Sequence, residues 1–130
     1  MSRLVEELDD ELFAELLEEE PLFLVDFYAD WCGPCKAVAP VVERAAKHYD
    51  GRITFGKLNI DYSPESASRY GVRSIPTMIL FRDGKQTSRM QGYIPDGKLR
   101  VHLDRYAPPL EEEEAAPARG GLLARLLGRE

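Results

Sequence analysis

Leu22-Phe23-Leu24-Val25-Asp26-Phe27-Tyr28-Ala29-Asp30-Trp31-Cys32-Gly33-Pro34-Cys35-Lys36 is the stretch that decides the fold. Its first seven residues are a short, nearly continuous apolar run rich in aromatics, which reads as a buried strand. Lys36 to Tyr49 reads as a helix, with Val38, Val41, Val42, Ala45 and Ala46 on its buried side and Pro40 expected to kink it. The two cysteines, the only ones in 130 residues, therefore fall where a strand feeds a helix. Unpaired N–H groups and the positive end of the helix dipole gather at such a point and favour a thiolate over a thiol. Two intervening residues put both sulfurs on one turn, close enough to bond. Cys32, at the turn with its N-terminal side open, is the expected nucleophile. Cys35, one turn deeper, is the expected resolving thiol. A free cysteine titrates near 8.5, so only about 3% is thiolate at neutral pH, and a lowered value is what this chemistry needs.

Other uses of the pair fit less well. Cys32, Cys35 and His48 mimic three positions of a two-Cys/two-His zinc finger, but Arg52, Ile53 and Thr54 stand where the fourth ligand belongs. His102 is far along the chain, and no metal is expected. A purely structural disulfide closing so short a loop would constrain the unfolded chain little.

These residues resemble the thioredoxin family. Trp31-Cys32-Gly33-Pro34-Cys35-Lys36 matches the family's active-site string. Leu24 to Ala29 is similar to its preceding strand with a buried aspartate, and Phe55 to Asp61 to a central strand carrying a buried lysine, Lys57. Tyr70 to Thr77 matches the segment leading to the family's cis-proline, Phe81-Arg82-Asp83-Gly84-Lys85 its hairpin, and Gly92 the glycine of its substrate groove. The likeness spans residues 3–106. It implies a thiol-disulfide oxidoreductase that reduces protein disulfides. Asp26 would act through water as the base that takes the proton of Cys35, with Lys57 tuning it. Trp31, Gly33, Pro34, Ile75, Pro76 and Gly92 would form the docking surface, with a cis Ile75-Pro76 bond. No cofactor is expected on this chain; electrons would come from NADPH through a flavin-dependent reductase, thioredoxin reductase. Gly33-Pro34 between the cysteines resembles reductases more than oxidases or isomerases, which usually carry histidine beside the second cysteine.

Without the family, blander readings remain. Asp26 could be a strand residue turned to solvent, Lys57 a solvated lysine, Pro76 a loop residue, and Gly92 a glycine easing a strand end. Trp31 and Tyr28 could be packing aromatics. A different class of function is a binding scaffold acting through the C-terminal tail.

At 44% hydrophobic, the chain can bury one core without disulfide staples. The expected class is α/β, a mixed sheet covered by helices on both faces, with the domain at 1–106. Leu4-Val5 could begin the first strand, or residues 3–19 could form one helix; Asp9 or Asp10 offers an N-cap. Ser63-Pro64 should start a short helix ending near Gly71, Thr77–Arg82 reads as a strand, and Asp83-Gly84 closes a hairpin. Residues 107–121 read as an acidic, Pro/Gly-containing linker. Residues 122–130 form a short Leu/Arg tail, too short to hold a helix alone, that would dock on itself, a partner or a membrane surface, or stay disordered.

The first twenty residues carry nine acids against Arg3 alone, whereas residues 21–106 carry thirteen Lys/Arg and nine acids. The acidic leader reads as a solvated helix face and argues against nucleic-acid binding. No stretch is long and apolar enough to span a membrane, and the N-terminus lacks the basic start and apolar core of a secretory signal. Two redox-active cysteines and no others fit a reducing cytoplasm.

Overall fold

A computed structural model describes residues 4–107. Apart from Ala107, the expected linker and the Leu/Arg tail lie outside the described residues. The elements run β1 (Val5–Leu8), α1 (Asp10–Glu19), β2 (Leu22–Tyr28), α2 (Gly33–His48), β3 (Thr54–Asn59), α3 (Pro64–Arg69), β4 (Thr77–Arg82), β5 (Lys85–Gln91) and α4 (Asp96–Asp104). The five strands form one mixed sheet in the order β1-β3-β2-β4-β5. β3 lies parallel to both β1 and β2, while β4 is antiparallel to β2 and β5. The acidic leader thus divides into a strand and a helix; Asp9 ends the strand because its Oδ1 accepts the Leu12 N–H at 2.8 Å, capping α1.

Alternation along β2 separates two cores. Phe23, Val25 and Phe27 point to the layer of α1 and α3, where Leu8, Phe13, Leu58, Ala67, Ile79 and Phe81 join them. Leu24 points the other way, into the layer of α2 and α4, with Val38, Val42, Phe55, Met78, Leu80, Leu99 and Leu103. Asp26 falls on this second face, and at 3% exposure it is turned inward and not to solvent.

Two sequence expectations need correction. β2, not β3, is the central strand, because β1 and β3 fill one side of it and β4 and β5 the other. The second helix begins at Gly33, not Lys36, since Pro34 suits a first turn and Cys32 serves as the cap. Pro40 lies inside α2, as read, and its missing N–H leaves the Lys36 carbonyl without a helical donor. The β4–β5 hairpin turns on Asp83 (φ 50°) and Gly84 (φ 82°), both left-handed as a tight primed turn requires. The start of α3 is tied to α1 by Asp10, whose Oδ1 accepts both the backbone N–H and the hydroxyl of Ser66.

Phe13 is the hub of the α1 layer, with ring centroids 5.7–6.3 Å from those of Phe23, Phe27, Tyr70 and Phe81. Phe13→Ala should therefore cost about 3–5 kcal/mol in urea unfolding. A loss below about 1 kcal/mol would mean that this layer does not hold the fold.

Candidate active site

Cys32 and Cys35 are joined in a disulfide, with Cα atoms 5.2 Å apart, at the junction of β2 and α2. Cys32 is the N-cap of α2, and its Sγ accepts the Cys35 N–H at 3.2 Å. One orphan donor of the helix start is thereby aimed at the sulfur that would carry negative charge after reduction. The same Sγ lies 3.8 Å from the carbonyl oxygen of Ile75. Ile75-Pro76 is cis, and this turn brings the start of β4 against the sulfurs. Ala29 and both cysteines form a small apolar cluster with Tyr28, Ile60 and Ile75 at its edge.

Cys35 faces inward. With Asp26, Tyr28, Ala29, Asp30, Lys36, Ala39 and Lys57 it lines a pocket of about 140 Å³ beneath the disulfide. Asp26 reaches it because its place on β2 turns it towards α2. Its Oδ1 is buried with no hydrogen-bond partner. Burial pushes the carboxyl up to about 7; Lys57 pulls it down without reversing the effect of desolvation, and Glu7 adds to the rise. A wider cavity of about 580 Å³ opens among Leu4, Leu16, Leu22 and Ile53, at the opposite ends of these strands, with neither cysteine in its lining.

The remaining predicted residues gather around the disulfide, with different surroundings. Trp31 is 70% exposed, its indole N–H donating to Asp61 at 2.9 Å. Gly33 and Pro34 are exposed at the head of α2, Ile75 is half-buried and Pro76 buried. Gly92 follows β5 with φ 83° and donates its N–H to the Pro76 carbonyl at 2.8 Å; nothing lies within 4 Å of where a Cβ would stand. Lys57 departs from expectation. Its side chain is 36% exposed, not buried, and its ion pair is with Glu7 at 3.8 Å, not with Asp26. The ammonium needs water or an anion, and the edge of β1 supplies the anion.

Glu7 and Asp61 were not singled out by sequence. Glu7 also accepts the Tyr28 hydroxyl at 2.7 Å. One signal was available for it: a strand at Leu4-Val5 paired in parallel with β3 sets Glu7 opposite Lys57, as the observed register does. Among the described residues, no group of three or more His, Cys, Asp or Glu is placed to hold a metal ion.

Comparison with known proteins agrees with this geometry. The family model for Thioredoxin matches residues 4–105. The chain is similar to Thioredoxin 2 of Chlorobaculum tepidum, 42% identical over 101 residues covering 78% of this chain and 93% of that protein. Thioredoxin of Synechocystis is 43% identical over 101 residues, covering 77% and 94%. The chloroplastic Thioredoxin M-type of Spinacia oleracea is 41% identical over 106 residues, covering 81% of this chain and 59% of that one. With its two cysteines bonded at the head of α2 and these matches over nearly the whole described chain, the protein belongs to the thioredoxin family and is a protein-disulfide reductase.

Proposed function

We propose that Cys32 attacks substrate disulfides and that Cys35 resolves the adduct with Asp26 as its base. One observation carries this division of labour: Cys35 shares its pocket with Asp26, whereas Cys32 sits between the exposed Trp31 and the Ile75 carbonyl. In the first step the Cys32 thiolate bonds to one substrate sulfur, and the other leaves as a thiolate that takes a proton. Asp26 then accepts the Cys35 proton through a water. Sγ of Cys35 bonds to Sγ of Cys32, breaking the mixed disulfide and expelling the second substrate sulfur. Two electrons pass to the substrate and the pair ends oxidised. The dipole of α2 and the Cys35 N–H favour the Cys32 thiolate over its thiol.

Substrate docking is assigned to Trp31, Gly33, Pro34, Ile75, Pro76 and Gly92. The half-buried Ile75 and the open space at Gly92 suit an extended segment pairing with the turn's backbone. Recycling is assigned to a flavin-dependent reductase drawing on NADPH, and the place of action to the cytoplasm; the two-cysteine inventory supports a reducing compartment. Among the described residues no helix is long and apolar enough to cross a membrane.

The reduction potential of the pair against glutathione tests the direction of electron flow. A value near the −270 mV or so familiar for thioredoxins is expected; one near −180 mV would disfavour substrate reduction by roughly 4 kcal/mol and reverse the reading. Cys35→Ser should trap substrates as mixed disulfides and Cys32→Ser should not; the opposite pattern would exchange the two roles.

Asp26 gives a test with a fixed sign. An unfolded aspartate titrates near 3.9, and here the folded value is about 7. Between these the native state holds a proton that the unfolded chain has lost, so stability falls as pH rises through the window. About three pH units at about 1.4 kcal/mol each amount to a fall on the order of 4 kcal/mol. Asp26→Asn should abolish that fall, leaving the variant the more stable protein at pH 8, while slowing resolution and flattening its rise with pH around 7. Full-speed resolution by Asp26→Asn at every pH would remove the catalytic role and leave the stability effect standing.

A further inference from the structure

Three strands bring four ionisable side chains to the rim of the Cys35 pocket, and the cysteine chemistry described above gives Glu7 among them no task. Glu7, on β1, is outside the pocket lining but grips two residues that form it. Its Oε1 is 3.8 Å from the Lys57 ammonium, and its Oε2 accepts the Tyr28 hydroxyl at 2.7 Å. The Lys57 ammonium in turn stands 5.5 Å from the centre of the Tyr28 ring, within reach of a cation–π contact. The sheet order makes this possible: β1 and β2 flank β3, so Glu7 and Asp26 are both register partners of Lys57, from opposite sides.

We propose that Glu7 is a positioning residue for the resolution step: it holds Lys57 and Tyr28 at the rim of the pocket and so limits how much of the lysine's positive charge reaches the Asp26 carboxyl. The consequence for chemistry rests on reading Asp26 as the base for Cys35; the coupling itself does not.

The geometry favours a divided lysine. The lysine's side chain is 36% exposed and its ammonium is paired with Glu7, so part of its field is cancelled before it reaches the carboxyl of Asp26, a residue 3% exposed and without a partner for Oδ1. As a stability element, an exposed pair at this distance contributes little, typically under about 1 kcal/mol. Its effect on a neighbour in low dielectric is larger, because the same charges act there with less screening. Other groups facing Asp26 are Tyr28 and Asp30 from β2 and its end, and Cys35 and Lys36 from α2. β4 presents only the neutral Met78 opposite it. Glu7 and Asp30 are thus the acids of this set, and only Glu7 makes an ion pair with the lysine.

The experiment follows the Asp26 carboxyl carbon by NMR against pH in the oxidised full-length protein, for wild type, Glu7→Gln, Lys57→Gln and the double variant. Glu7→Gln should move the Asp26 midpoint down by roughly half a pH unit or more, about threefold in proton affinity. Lys57→Gln should move it up. With Lys57 already replaced, Glu7→Gln should produce less than half of its wild-type shift, since only its direct field remains. No movement in Glu7→Gln would overturn the proposal, and so would equal movement in both lysine backgrounds, which would make Glu7 a distant charge and not a positioner. Because Asp26 is titrated with the disulfide closed, this result is independent of whether Asp26 serves as a base; that question is answered by the resolution kinetics of Asp26→Asn.

Discussion

A buried carboxyl in the central strand, its Oδ1 without a hydrogen-bond partner, is the constraint on which the site depends. Asp26 lies on the face of β2 that otherwise carries the α2 and α4 core, where Leu24 is its neighbour of the same face and Met78 its register partner. Desolvation outweighs the attraction of Lys57, so the group keeps its proton to about pH 7. A charged group there opposes folding. The sheet sustains it because five paired strands and two apolar layers supply more than one buried acid removes. The result is a carboxyl that changes state near neutrality and lines one pocket with Cys35.

The second constraint is polarity along α2. Cys32 caps the helix, Pro34 occupies its first turn, and Lys47 and His48 stand in its last. The helix start thus points N–H groups at the disulfide while its far end carries the basic side chains that complement the dipole. The Cys35 N–H that meets the Cys32 sulfur suits a thiolate better than a bonded sulfur.

How much was legible in sequence follows from how local each feature is. The bounds of β2 and β4 and the Asp83-Gly84 turn are written in neighbouring residues, and all three stand as read. The pairing of Cys32 with Cys35 is equally local. The ambiguity of residues 3–19 was real, since an acidic strand and an acidic helix differ there by a single cap, Asp9. Lys57 was misplaced inside because its neighbours Phe55 and Leu58 are buried, while the anion that draws it outward is fifty residues earlier in the chain. The Glu7–Lys57–Tyr28 set needs the strand order β1-β3-β2, which no local pattern carries. Asp61 and Trp31 meet in the same way, through a bond spanning thirty residues.

Scale separates the two halves of the site. A pocket of about 140 Å³ is too small for a polypeptide and large enough for a few waters. The substrate must be met outside it. There the chain offers Trp31 at 70% exposure, Tyr62 beside the aspartate that holds that indole, and Tyr93 beside Gly92. Large exposed aromatics are unusual on a surface that binds nothing and are enriched where proteins meet. The Ile75 carbonyl lies 3.8 Å from the Cys32 sulfur, and at the left-handed Gly92 nothing lies within 4 Å of where a Cβ would stand. The disulfide's inner side is thus enclosed with Asp26, while the large exposed aromatics stand outside that pocket.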